Sequence, residues 1–223
     1  MQPNPETSTV NPMNWLKTLL LFCALCVAPW AAASEDMIKP IQDEWAEIKY
    51  RQADKQQAAA YKALAQKAHR LSEANPNAAE ALIWESIVLS SEAGASGGLG
   101  ALGLIKEARR LLEESIKLDE QALQGSAYTS LGALYAKVPR WPVAFGDKKK
   151  AEELFKKGLA INPKGIDPHF FYGEFLLDEG RSAEARKHLE AALQAPARPG
   201  RELADRGRRQ EVQAAMSRLK DTP

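Results

Sequence analysis

Residues 166–199 read IDPHFFYGEFLLDEGRSAEARKHLEAALQAPARP. Within them Gly173, Gly180, Ala185, Leu189 and Ala192 follow one another at intervals of 7, 5, 4 and 3 residues. Apolar and small residues recur at helical spacing on both sides of Gly180, which predicts two helices joined by a turn at that glycine. Asp167-Pro168 offers a capping side chain followed by proline at the first helical position, and Ser182 offers a cap for the second helix. Pro196 and Pro199 end the pair. Ala151 and Phe155 stand 34 residues ahead of Ala185 and Leu189. The helix pair is therefore one unit of a repeat, in which each unit buries its apolar face against the next.

Working outward, Ile38 to Leu71 reads as helical throughout, with Tyr61, Leu64, Ala68 and Leu71 at three- and four-residue spacing. Asn75-Pro76-Asn77 stops it. A helix from about Ala78 to Ser91 leads into the glycine-rich stretch Gly94 to Gly103, read as a loop. The next helix carries Ile105, Ala108, Leu111, Leu112 and Ile116 and closes at Leu118-Asp119. A further pair follows. Its first helix holds Tyr128, Leu131, Gly132 and Tyr135; its second, capped by Asp147, holds Ala151, Leu154, Phe155 and Gly158 and ends at Asn162-Pro163. Glu202 to Lys220 reads as a final, more polar helix. No strand pattern is evident.

These residues resemble the tetratricopeptide repeat family, whose units are two antiparallel helices of about 34 residues. Gly173 with Ala185, and Gly132 with Ala151, stand where that family keeps small residues so that paired helices approach closely. Pro163 stands at its closing proline, whereas Glu120 replaces that proline one unit earlier. The resemblance implies an all-α helical-hairpin solenoid of about three repeats, with leading and C-terminal capping helices. It also implies a concave groove lined by first helices. On this chain those are Leu82, Ile83 and Ser86, then Thr129, Ser130, Ala133 and Lys137, then Phe170, Phe171, Glu174 and Asp178. Val138 to Asp147, with the N-terminal segment, is similar to a narrower group, the periplasmic T-component proteins of TRAP transporters. That likeness implies an accessory that binds a small ligand or a substrate-binding protein.

Arg140-Trp141-Pro142-Val143-Ala144-Phe145-Gly146 interrupts a turn that is normally a few residues long. Arg140, Trp141 and Phe145 suit a recognition loop on a rigid scaffold. Equally, the two aromatics suit a plug folded back between neighbouring helices. Gly98 to Gly103 spells a dinucleotide-binding fingerprint, but that motif needs a strand before it and here a helix precedes. The stretch is read as a flexible inter-helix loop.

Enzymatic chemistry finds little support. His69, His169 and His188 show no metal-ligand spacing, and no serine sits in a nucleophile elbow. Glu184 and His188 are read as a surface ion pair. Arg198, Arg201, Arg206, Arg208 and Arg209 are diluted by Glu202 and Asp205, as on a solvated capping helix. A formal net charge of +1, with the two signs interspersed, gives no basic stripe for nucleic acid.

Residues 1–33 read as a secretory signal, with Lys17, an apolar run to Ala28 and the small residues Ala31-Ala32-Ala33. The alternative is an uncleaved anchor, and Met13 is an alternative start. Cys23 and Cys26 fall within this segment, so cleavage after Ala33 leaves no cysteine. Residues 34–77 are then leading helices, 78–199 the repeat array with insertions at 94–103 and 139–146, and 200–223 the capping helix and tail. The sequence thus predicts an exported, periplasmic, non-catalytic scaffold that binds a protein or peptide, with no cofactor or metal.

Overall fold

The computed structural model describes residues 28–140 and 142–220. Residues 1–27, which hold most of the expected export signal and both cysteines, lie outside the described residues, as does Trp141. The chain divides into a unit of Met1–Met37 and a unit of Ile38–Pro223. In the first, residues 28–37 are helical. Everything that follows concerns the second.

Among the described residues there are nine helices and no strand: α1 Ala28–Arg51, α2 Asp54–Ala74, α3 Ala79–Ser96, α4 Gly98–Leu118, α5 Ala122–Lys137, α6 Lys148–Ile161, α7 Ile166–Asp178, α8 Ser182–Gln194 and α9 Glu202–Lys220. The most extensive packing joins α3 to α4, α5 to α6 and α7 to α8, which are the three expected repeats. Each first helix also meets the next first helix, so α3, α5, α7 and α9 form one layer and α4, α6 and α8 the other. The fold is an all-α helical-repeat solenoid.

The repeat grammar acts through sterics. A Cβ added at Gly173 would lie 2.9 Å from the Leu189 side chain, and one at Gly132 would lie 2.9 Å from the Phe155 ring. Each first-helix glycine therefore accommodates a large residue of its partner helix, one turn beyond the alanine that sequence alone pairs with it. Ala185, Leu189 and Ala192 are fully buried, as are Ala151 and Phe155.

Several expectations are corrected. The helix read from Ile38 to Leu71 is broken at Gln52-Ala53, so α1 and α2 are separate elements. Gly94 to Gly103 is not a loop. It forms the last turns of α3 and the first of α4, which meet at Gly97 and Gly98, where φ of +61° and +71° reverses the chain at low cost for residues without a side chain. Asp147 caps α6 as expected, accepting from the Lys150 amide at 3.1 Å. Neither Asp167 nor Ser182 caps its helix: α7 starts one residue before Asp167, and α8 starts at Ser182 itself. The Asp167 carboxylate has a different commitment, described next.

Candidate partner-binding face

The groove expected along α3, α5 and α7 is not open along its length. Helix α1 bridges the first and last members of that layer. On the α3 side, Trp45 Nε1 donates to Ser91 Oγ at 2.8 Å, and the Trp45 ring meets Trp84 edge-on at 6.0 Å. On the α9 side, Tyr50 Oη donates to Glu211 Oε2 at 3.2 Å, with Lys49 3.4 Å from the same carboxylate. The Arg201 guanidinium, at the approach to α9, lies 5.1 Å over the Trp84 ring. Ile38, Ile41, Trp45, Ala46 and Ile48 are all buried in this seat. Leu82, Ile83 and Ser86, expected to line the first third of the groove, are buried too and offer a partner no surface.

Of the C-terminal arginines Arg206 is exposed, but Arg198 and Arg208 are not on a solvated face. Arg198 Nη1 donates to Asp167 Oδ2 at 2.6 Å and Arg208 Nε to Asp167 Oδ1 at 2.8 Å. Arg198 also holds Asp205, and Arg208 holds Glu211. Burial alone would raise the pKa of Asp167, but Arg208 and Arg198 outweigh it and keep the carboxyl well below the usual carboxylate range. Position in the first turn of α7 favours the anion further. Arg208 also stacks on Phe170 and Phe171, its guanidinium 4.5 and 4.6 Å from their ring centres. The buried Arg208 guanidinium therefore fixes α9 to α7 by charge and by ring contact at once.

One open part of this layer lies at the other ends of α5 and α7. A recess of about 60 Å³ is walled by Ala133, Lys137, Phe171 and Glu174, over a floor that includes Phe155 and Phe175. Lys137 pairs with Asp178 across the gap between α5 and α7. Glu174 pairs with Arg218 of α9. Of the residues singled out in the sequence, Lys137, Phe171, Glu174 and Asp178 therefore meet at one place, with Phe170 buried beside them under Arg208. Thr129 does not join them: it is buried against α6, where a Cβ on Gly158 would come within 2.6 Å of its hydroxyl.

The loop between α5 and α6 folds back. Gly146 N donates to Pro139 O at 2.9 Å and Asp147 N to Tyr135 O at 3.0 Å. Phe145 packs edge-on against Tyr135, ring centres 5.2 Å apart, beneath the Arg109 guanidinium of α4 at 4.5 Å. Of the two readings left open for this loop, the structure gives Phe145 the role of plug. Arg140 is exposed, and so is Val143 at 61%.

Sequence reasoning missed two polar constellations. Glu85 is buried on α3, where it takes His69 Nδ1 at 2.8 Å and accepts from the Ser72 hydroxyl. His188 does not pair with Glu184, which is held by Arg181 at 2.7 Å. It meets His169 instead, Nδ1 to Nδ1 at 3.0 Å. The only sequence signal was their placement on opposite helices of one repeat. Among the described residues no three His, Cys, Asp or Glu side chains gather to hold a metal ion, and no helix is long and apolar enough to cross a membrane.

Comparison with known proteins accords with this architecture. Residues 143–220 match the family model described as a tetratricopeptide repeat, and they contain α6 to α9. No curated protein matches the chain.

Proposed function

We propose that this chain, whose residues 143–220 match the tetratricopeptide repeat model, is a non-catalytic scaffold that grips a partner protein at the mouth between α5 and α7. Repeats of this kind build protein-interaction scaffolds. The observation that carries the finer reading is the recess between Ala133 and Phe171, an apolar floor in a rim of charge. Its volume of about 60 Å³ supports the side chain of a protein partner as occupant, since small organic ligands fill cavities of about 300–1,000 Å³. An aliphatic anchor entering it would meet Phe171, while the Lys137–Asp178 pair offers both signs of charge to fix the partner's register. Arg140 and Val143 stand exposed in the loop that follows Lys137.

A photo-cross-linking residue at Ala133, with one at exposed Lys106 of α4 as control, tests the reading. A discrete adduct from position 133, absent from 106 and abolished by Phe171→Asp, is the expected result. Equal labelling from both positions would overturn it.

We read residues 1–33 as a cleavable export signal and the mature chain as periplasmic. The compact unit starting at Ile38 supports this, because cleavage after Ala33 removes none of it. N-terminal sequencing of the protein expressed at full length is the test, and a product retaining Lys17 would contradict it.

A further inference from the structure

His169 on α7 and His188 on α8 face each other across the last helix pair. Their ring centres are 5.2 Å apart and their Nδ1 atoms 3.0 Å apart, so both nitrogens lie between the rings and point at one another. The second nitrogen of His169 settles which of them carries hydrogen. His169 Nε2 lies 3.0 Å from the carbonyl oxygen of Pro163, which only accepts, so Nε2 bears the proton. Neutral His169 then presents a bare Nδ1, and His188 must donate Nδ1–H to it. Two nitrogens directed at each other at this distance leave space for one hydrogen. A metal ion bound by both would need their lone pairs to converge beside the line joining them, and they do not.

We propose that His169 and His188 form a proton-limited latch between α7 and α8, which holds the last repeat closed while a single hydrogen lies between the two Nδ1 atoms, whether or not His188 Nε2 has taken up a proton, and which loosens once acidification places a hydrogen on His169 Nδ1 as well. A doubly protonated pair would set N–H against N–H and positive charge against positive charge, while Pro163 holds the His169 ring from turning away. The surroundings oppose the second charge. His188 is half-buried against Tyr172, ring centres 4.7 Å apart. Burial is the main cause that lowers its pKa, reinforced by His169, Lys187 and Arg181, with Glu184 acting in the opposite sense. Glu184 and Glu152 are the acids at hand, and both are engaged by Arg181, at 2.7 and 3.0 Å. The Tyr172 hydroxyl donates to Glu152 of α6. Both carboxylates are already committed to Arg181.

The latch sits beside function-bearing residues, since Phe170 and Phe171 follow His169 directly, but the inference does not depend on what binds there. Imidazole nitrogen NMR on the intact protein tests it. At about pH 7.5 His169 should show a bare Nδ1 and His188 a protonated one. On acidification a proton on His188 Nε2 should leave the backbone amides of residues 166–194 in place, and those amides should shift only together with the loss of the bare His169 Nδ1 signal. Independent titration of the two rings at the ordinary histidine value, with unmoved amides, would overturn the proposal.

His188→Gln supplies the second arm. Its amide donates to the bare His169 Nδ1 and, turned over, accepts from a protonated one, so the variant folds without the proton limit. The fall in thermal midpoint of the wild type between about pH 7.5 and about pH 5.5 should shrink in this variant. An identical fall in both proteins would contradict the latch.

Discussion

Gly207 of α9 lies so close to Tyr50 of α1 that a Cβ there would stand 2.2 Å from the tyrosine ring. Tyr50 cannot simply swing aside, because its hydroxyl is bound to Glu211 one turn further along α9. Gly207→Ala should therefore destabilise the protein by about 1–3 kcal/mol, as overpacking does, although alanine is the better helix former. Urea denaturation of the single variant, of Tyr50→Ala and of the double variant checks this. The cost of Gly207→Ala should fall sharply when Tyr50 is already alanine.

Asp167 bears the charge that keeps Arg198 and Arg208 compensated. Asp167→Asn should cost about 3 kcal/mol, the low end for breaking a buried ion pair, because the carboxylate keeps 30% of its exposure. The linkage has a definite sign. A carboxyl whose pKa is depressed on folding adds stability above its unfolded value, and loses it as pH falls through the folded one. Wild-type stability should thus decline on the acid side of the usual carboxylate range, and Asp167→Asn should flatten that decline in a pH series of urea midpoints.

His69 has the opposite sense to His188. Its hydrogen bond to Glu85 raises its pKa, followed in the same direction by the charges of Glu85, Glu73 and Glu107, against a lowering by desolvation. A histidine raised on folding adds stability below its unfolded pKa and loses it as pH rises through the folded one. His69→Gln should therefore destabilise more at about pH 5.5 than at about pH 7.5, whereas His188→Gln should be relatively more stable at the lower pH. Thermal midpoints of the two variants at both pH values distinguish them.

Lys137→Glu separates binding from folding. The Lys137–Asp178 pair is exposed at both ends, and such pairs contribute about 0–1 kcal/mol. Reversing the lysine places like charges together at the rim, so the urea midpoint should shift by less than about 1 kcal/mol equivalent. Cross-linking from position 133 should nevertheless be lost. Retention of the adduct would move the binding surface elsewhere.

Local spacing made the last repeat legible. The intervals around Gly173 and Leu189 express a steric fit within one hairpin, and a fit of that kind repeats at short range in sequence. The glycine-rich stretch from Gly94 was misjudged because each glycine weakens a helix only modestly. The apolar stripe continuing through Leu104, Ile105 and Ala108 favours helix, and positive φ at the two adjacent glycines Gly97 and Gly98 suffices for the turn. Asp167-Pro168 has the local grammar of a cap, yet Arg208, 41 residues away, claims the carboxylate. The seat of α1 was least visible. Tyr50 and Glu211 are 161 residues apart, and no periodicity records a contact that occurs once.

That seat bears on how many repeats the molecule has. An open solenoid grows or shrinks by whole units, because each unit touches only its neighbours. Here α1 must reach α3 with Trp45 and α9 with Tyr50, five residues apart on one helix. A fourth hairpin would move α9 away from α3 by about one helix diameter, roughly 8–10 Å, and Tyr50 would lose Glu211. Helix α1 is therefore a gauge: its contacts at Trp45 and Tyr50 measure three hairpins and would not span a fourth.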